Sequence, residues 1–421
     1  MNAVISPPNG RGYEIKAVGL LAIGCGLVGL DRFIISPLFP VMAKDLGLSY
    51  RDFGLISGVL SLSWGLAALF AGSLADRLGP KRVLVPALLL FSVLVASTGL
   101  ASGLGSLLAL RGLMGFAEGA YMPAGIACTV EASAPRRVGL NLGLSQLAVG
   151  LFGLGLGPII ATQALRVLPS WHGVFALVAL PGLVLAVLLQ QVLRRPKPTS
   201  AHRVARPDLA ERTRTWIAAG RDRNVLCAML AMTCWMSANI VFAAFLPNYL
   251  TDVLKLDLQS MGYVLSAVGA GALVGVIGLS ALSDRFPARP VLAVTAVLLL
   301  PTLWLFEHTG ANPARLFGLL FVWAVLNTGA VAVTLGRLTV DSVSADKTAT
   351  ATGLVMGVGE IVGGAIMPVV AGIAVQAFGL SVILDFAMGA AAIGLLVCVF
   401  GLRTRTRPGL GQPKPAIVRT R

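Results

Sequence analysis

Charge is scarce in this chain. Only 12% of its 421 residues are Asp, Glu, Lys or Arg, while 56% are hydrophobic, against the roughly 25% charged of an ordinary soluble domain. Mean hydropathy is +0.85. The apolar residues come in runs without the helical or alternating period that a soluble core requires. About 20 of them at a 1.5 Å rise cross a hydrocarbon layer of ~30 Å, and runs of that length recur throughout, so the chain is read as membrane-embedded. Histidine is rarer still: three residues, His172, His202 and His308, form no catalytic grouping. The five cysteines, Cys25, Cys128, Cys227, Cys234 and Cys398, lie inside apolar runs with no close pair and no metal spacing. They read as small core residues, and neither a disulfide framework nor a metal site is expected. No Walker-type phosphate loop appears, which argues against a primary pump on one chain. The first apolar run is too long for a signal-peptide core and lacks a small-residue cleavage site after it, so a retained helix is expected. No catalytic residue, cofactor or enzyme activity is expected.

What is present is a repeat. Twelve apolar spans are predicted, at roughly 15–41, 52–74, 82–102, 105–128, 139–164, 171–193, 224–250, 261–283, 288–308, 313–338, 348–376 and 380–402. The fold class is an all-α membrane protein of 12 transmembrane helices in two pseudo-symmetric six-helix bundles. Its segments are a lead at 1–14, an N-terminal bundle at 15–193, a basic linker at 194–223, a C-terminal bundle at 224–402 and a basic tail at 403–421. Of 33 Lys and Arg residues, 26 fall in the terminal segments, in the loops on the same side as the linker, or at the span ends that border them. Five (Lys44, Arg51, Arg166, Lys255 and Arg315) fall in the other loops, and Arg32 and Arg111 lie within spans. The positive-inside rule then sets both termini in the cytoplasm. It also explains the net charge of +15 by attraction to an anionic leaflet rather than to nucleic acid.

The halves align on a charged turn. Gly72-Ser-Leu-Ala-Asp76-Arg77-Leu-Gly79-Pro80-Lys81-Arg82 lies between the second and third spans. A weaker copy, Ser280-Ala-Leu-Ser-Asp284-Arg285-Phe-Pro-Ala-Arg289, follows 208 positions later (284 − 76). The same offset pairs Gly54 with Gly262 and Ser49 with Asp257. Gly72 allows close helix approach, Gly79-Pro80 enforces a tight turn, and the basic residues pin that turn at the cytoplasmic face. Glu131 precedes Arg137 by six residues and Asp341 precedes Lys347 by six, in the loops after the fourth and tenth spans. Both pairs are expected to clamp that face when it closes.

Two six-helix halves, a basic linker and Gly-x-Leu-Ala-Asp-Arg-x-Gly-x-Lys-Arg together resemble the major facilitator superfamily over essentially the whole chain. The second copy departs at Ser280, where the family prefers glycine. The resemblance implies a gating role for Gly72, Asp76, Arg77, Gly79, Arg82, Asp284, Arg285 and Arg289. It implies that Asp76 meets the start of the eleventh helix near Thr348, and Asp284 the start of the fifth near Gly139, when the cytoplasmic side is closed. Such contacts bias an alternating-access equilibrium by a few tenths to about two kcal/mol each.

The charges that bear on a cargo are those inside the membrane: Asp31, Arg32, Arg111, Glu118 and Glu360. Each central charge costs about 2.5–3.5 kcal/mol on insertion scales. Structural pairing of Arg111 with Asp31 or Glu118 is the bland alternative. Asp31-Arg32, then Arg111-x-x-x-Gly-x-x-Glu118-Gly-x-x-x-Pro123-Ala, resemble the anion:cation symporter family. So do Ser170-Trp171-His172, with His172 in place of the usual arginine, and Leu246-Pro247-x-Tyr249-Leu250. Arg32, a permanent cation with a planar fork, is the candidate anchor for a carboxylate. Asp31 and Glu118 are candidate proton carriers, since desolvation and a neighbouring arginine act on them in opposite senses. Arg111 and Glu360 complete the coupling set, although an acid at 360 would repel an anion unless it were protonated or a cation met it. Trp64, Tyr121, Gln146, Asn239 and Asn327 are further substrate-binding candidates, as polar or aromatic groups within spans.

These features imply import of a small organic anion, a sugar acid or other carboxylate, with protons across the inner membrane. The carrier is expected to be a monomer in the lipid bilayer. The competing expectation is a proton-coupled antiporter exporting drugs or metabolites. Its support is Gly153-x-x-x-Gly157-Pro158, part of an exporter signature that Ala161 and Thr162 leave incomplete. Glycine packing is the simpler explanation.

Overall fold

The computed structural model describes residues 10–194, 220–343 and 348–402. The start of the lead, most of the linker, Lys347 and all of the tail lie outside them. Twelve long helices account for the described residues, which contain no strand. They are α1 (Arg11–Leu46), α2 (Tyr50–Leu78), α3 (Pro80–Thr98), α4 (Leu104–Ala132), α5 (Val138–Val167), α6 (Trp171–Val192), α7 (Arg223–Val253), α8 (Leu258–Arg285), α9 (Ala288–His308), α10 (Pro313–Ser342), α11 (348–378) and α12 (Val382–Gly401). Ten are long and apolar enough to cross a membrane by length and composition. The other two are α2, which runs into the charged turn, and α4, which carries Arg111 and Glu118. The helices alternate in direction. One face, here the terminal face, carries both described chain ends and the α2–α3, α4–α5, α8–α9 and α10–α11 connections.

One difference from the expected spans bears on the charged turn and lies in α2. It continues four residues beyond 74, because nothing between Leu74 and Leu78 breaks a helix, so Asp76 and Arg77 are helical. The turn itself shrinks to Gly79, whose φ of +91° suits glycine alone, with Pro80 opening α3.

The repeat governs local structure. Ser49 caps α2 through a capping box with Asp52, and Asp257 caps α8 by accepting from the amides of Gln259 and Ser260. Hydrogen bonds from the Ser260 hydroxyl and amide hold the Asp257 carboxyl below its usual range. Lys81 donates to the Gln190 and Leu193 carbonyls at the end of α6, at 2.6 and 2.5 Å. Arg289, 208 positions on, donates to the Cys398 and Val399 carbonyls at the end of α12, at 3.1 and 2.5 Å. Helices α5 and α11 each widen by one residue per turn, over Leu151–Leu156 and Gly359–Ile366. Both widened stretches precede a proline, Pro158 or Pro368, whose missing N–H and ring forbid an ordinary turn there.

Lipid tails are as apolar as leucine, so helices here associate by close packing and small residues rather than by exclusion from water. Within the halves, a Cβ on Gly115 of α4 would meet the Leu60 carbonyl of α2 at 2.4 Å. One on Gly275 of α8 would meet the Val325 carbonyl of α10 at 2.2 Å. Between the halves, α2 lies on α11, where a Cβ on Gly54 would meet the Pro368 carbonyl at 2.4 Å, and α8 lies on α5, where one on Gly262 would meet the Thr162 hydroxyl at 2.4 Å. Tyr50 donates to Asp252 at 2.7 Å, and Gln163 donates to Gln259 at 2.6 Å. Phe39, Phe53 and Phe245, all fully buried, stack behind them. These contacts lie between mid-membrane and the face away from the chain ends. The terminal part of α11, Thr348–Val358, packs mainly on α7 and α10 of its own half. The seam is closed on one side, and the packing across it thins toward the terminal face.

Candidate functional site

Proline places the centre of the site. Pro37 cannot donate to the Phe33 carbonyl four residues earlier, and α1 breaks its regular pattern at Ile34. Arg32 stands two residues before that break, at mid-membrane, where α1 faces α2, α7 and α11. Its Nη2 donates to Glu360 Oε2 at 3.0 Å and to the Ser61 hydroxyl at 3.2 Å. Its guanidinium carbon lies 5.5 Å from the Trp64 ring centroid and 5.8 Å from that of Phe33. Both members of the ion pair are mostly shielded, with side chains 12% and 9% exposed. A cleft opens beside the pair, lined by Arg32, Ser36, Ser57, Ser61 and Arg111, with Ile240 and Ala243 from α7.

Behind Arg32 lies a second layer. Asp31, Arg111 and Glu118 are 3%, 1% and 0% exposed. Arg111 Nη1 donates to the Asp31 backbone carbonyl at 3.1 Å, not to its carboxylate. Asp31 Oδ1, both Glu118 oxygens, and Arg111 Nε and Nη2 have no hydrogen-bond partner among the described residues. The groups are close enough to act on one another through charge: Glu118 on Arg32 and Arg111, and Asp31 on Glu118 and Arg111. Gly115 and Gly119 set this arrangement by letting the α4 backbone lie on α2 at Leu60 and Trp64. Buried charged groups left without hydrogen bonds are costly, and their concentration at the seam distinguishes this place from the rest of the bundle.

The sequence-predicted residues divide. Asp31, Arg32, Trp64, Arg111, Glu118 and Glu360 come together. Tyr121 does not: its ring packs edge-on against Phe91 of α3 at 5.8 Å, with its hydroxyl against Gly24 of α1, in the core of the first half. Asn327 is fully buried and donates to the Trp235 carbonyl at 3.2 Å, joining α10 to α7 within the second half. Asn239 is half-buried next to the cleft residue Ile240, and Gln146 is exposed on α5 away from the cleft lining. The cation expected to meet Glu360 is Arg32 itself. Ser36, Ser57 and Ser61 escaped the sequence reading. Their signal was the stripe Gly54, Ser57, Gly58, Ser61 along one face of α2, small residues at helical spacing.

The residues expected to gate keep to their own halves where they are described. Arg137 donates to Glu14 of α1 through both Nε and Nη2, which raises the guanidinium above its ordinary value. Asn141 and the Ala134 amide share the same carboxylate, so the α4–α5 loop is fastened to the start of α1. Glu131 is exposed. Asp341 binds Arg337 at 2.5 Å, and Arg337 lies 4.0 Å from the largely exposed Asp284. Arg77, Arg82 and Arg285 are exposed at the terminal face, and Arg289 is a helix cap. Gly72 and Asp76 fall outside the described side chains. Gly153, from the partial exporter signature, is a packing residue: a Cβ there would meet the Gly29 carbonyl at 2.6 Å.

A family model, the Major Facilitator Superfamily, matches residues 21–363. The chain is 27% identical over 274 residues to a probable L-galactonate transporter of Escherichia coli, covering 61% of this chain and 60% of that protein. It is 30% identical over 206 residues to the 4-hydroxybenzoate transporter PcaK of Pseudomonas aeruginosa, covering 49% and 45%. It is 28% identical over 167 residues to the quinolone resistance protein NorA of Staphylococcus aureus, covering 39% and 43%. The matched stretch thus spans well under two thirds of these relatives. Among solved structures, a bacterial homolog of the human lysosomal transporter Spinster, in an inward-facing and unoccupied conformation, superposes with a TM-score of 0.79 at 16% identity. That match covers 95% of this chain and all of that one.

Proposed function

The chain belongs to the major facilitator superfamily, and from that premise we propose that it imports a small organic anion, a sugar acid or other carboxylate, together with protons. It is a membrane transporter, not an enzyme. One observation carries the reading of its cargo: a fork-shaped cation, Arg32, lines a cleft at the seam with the buried Asp31, Arg111 and Glu118 directly behind it. An arginine at that depth suits a carboxylate, and carboxylates in contact with its field are suited to exchange protons as the anion binds and leaves. Arg32 anchors the anion, Asp31 and Glu118 carry protons, and Arg111 holds the Asp31 segment of α1. The names of the L-galactonate and 4-hydroxybenzoate relatives, both carriers of carboxylates, support the substrate class. The basic asymmetry between loops supports an inner-membrane protein with both termini and the terminal face in the cytoplasm. The described conformation is then closed outside, and rocking of the two halves exposes the cleft to either side in turn.

The test is a thermal-shift screen of the purified protein against carboxylates and sulfonates at two pH values, followed by transport in proteoliposomes. Glu118→Gln is expected to keep substrate counterflow and to lose proton-driven accumulation. Accumulation at the wild-type level would remove Glu118 from the coupling role. The competing reading, export, draws on the resemblance to NorA. Concentration of the substrate by energised inside-out vesicles would favour it over import.

A further inference from the structure

Glu360 has no evident place in a carrier of anions, since it brings negative charge to the anchor itself. Its position is nevertheless specific. It lies in the widened stretch of α11, 7% exposed, and reaches across the seam to Arg32 of the other half, 328 positions away in sequence. The α7 residues that meet Gly359 and Gly363 of this stretch include Met232, Thr233, Met236 and Ser237. The α2 face contributes Ser61, which shares Arg32. Neither face brings a charge. The repeat-equivalent position in the first half, 152 (360 − 208), is phenylalanine, so the carboxylate is not part of the scaffold that the halves hold in common.

We propose that Glu360 is an internal stand-in for the transported anion: it holds Arg32 when no substrate is bound, and the substrate carboxylate takes its place. This rests on the reading of Arg32 as the anion anchor. A guanidinium in a low-dielectric seam needs a counter-anion throughout the cycle, including the step in which the carrier returns without cargo, because an uncompensated buried charge is strongly unfavourable. A carboxylate on the opposite half meets that need and ties the two bundles together at the same point. Cargo binding then does two things at once. It satisfies Arg32 and it cuts the tie between α1 and α11.

The experiment compares wild type with Glu360→Gln, which keeps the shape and removes the charge. The tie itself is read without any ligand, as the rate at which phenylglyoxal modifies Arg32, followed by mass spectrometry of the Arg32 peptide. Modification several-fold faster in E360Q is expected, and an unchanged rate overturns the tie. Competition is read as the affinity for L-galactonate, and for whichever carboxylates shift the melting temperature of either protein. E360Q is expected to bind about tenfold more tightly, and equal or weaker binding overturns the stand-in role. Should Glu360→Gln fail to fold, Glu360→Asp withdraws the carboxylate by one methylene, and an intermediate gain in both readouts is expected. If no carboxylate binds either protein, the anchor reading fails and the stand-in with it, while the modification rate still reports whether the tie exists. The two failures are therefore distinct.

Discussion

The two halves agree in their scaffold and differ in their site. At an offset of 208, Ser49 and Asp257 are both helix caps, and Gly54 and Gly262 are both seam contacts. Lys81 and Arg289 both close the last helix of their bundle, and the widened turns of α5 and α11 both begin at matched positions, Leu151 and Gly359. The site positions share no such rule. Asp31, Arg32, Arg111 and Glu118 correspond to Asn239, Ile240, Leu319 and Leu326, and Glu360 corresponds to Phe152. Packing demands are the same wherever two similar bundles rock against each other, so they hold both copies alike. The site cations are held in one copy only, because two cations at equivalent depths would face each other across one seam. The first half carries the proposed anchor, and the second supplies an apolar wall and a single acid.

The sharpest break of this comparison is at its asymmetric positions. Arg32→Ala removes the cation and leaves Glu360 uncompensated at the seam. Truncating one partner of a desolvated charge pair costs 2–5 kcal/mol or more, so affinity for the anion is expected to fall on the order of 100-fold or beyond. Ile240→Ala at the matching position removes only apolar lining, and a loss within about tenfold is expected. Calorimetric titration of both variants with the same carboxylate checks this. Equal losses would mean that the halves share the binding role after all.

This asymmetry also marks how far the sequence could be read. Span length, basic loops and the 208-residue offset made the twelve-helix plan, the two bundles and the matching caps legible, because each is a local pattern. The first-half charges were legible too, since any charge inside an apolar run stands out. The Arg32–Glu360 pair was not: no periodicity links α1 to α11, and only assembly of the bundles brings 32 and 360 within 3.0 Å. Tyr121 and Asn327 misled in the opposite direction. A polar tip on an apolar body reads the same from sequence whether it faces a cleft or, as here, packs inside its own half. Arg137 illustrates a third limit. Its six-residue spacing from Glu131 suggested a local pair, but the loop turns it toward Glu14, 123 positions back.

A moderate effect is expected at the seam, where the halves should respond in kind but not in size. Gly54→Ala sets a Cβ 2.4 Å from the Pro368 carbonyl, a backbone atom that cannot rotate away. Gly262→Ala sets one 2.4 Å from the Thr162 hydroxyl and 2.9 Å from its methyl, side-chain atoms that can give somewhat more than backbone. Overpacking of this kind costs typically 1–3 kcal/mol, here borne by the conformation closed on the face away from the chain ends. Both variants should shift the carrier toward opening on the face away from the chain ends, with Gly54→Ala the larger. Distance measurements between spin labels on the α1–α2 and α7–α8 connections report the shift, and a larger effect of Gly262→Ala would contradict the packing described.

The smallest effects belong to the matched caps, and they test the scaffold symmetry most directly. Lys81 and Arg289 each donate to two carbonyls at the end of the sixth helix of their half, and both act at a helix C-terminus, where a cation is worth about 0.3–1 kcal/mol. Lys81→Ala and Arg289→Ala are each expected to lower the melting temperature slightly, while leaving anion affinity unchanged. Arg223 complicates the second case, because it donates to the Phe400 and Gly401 carbonyls beside those that Arg289 holds. With that neighbour in place, Arg289→Ala should fall below Lys81→Ala, and Arg223→Ala combined with Arg289→Ala should exceed it. Transport altered by Arg289→Ala at unchanged stability would instead return this residue to the gate.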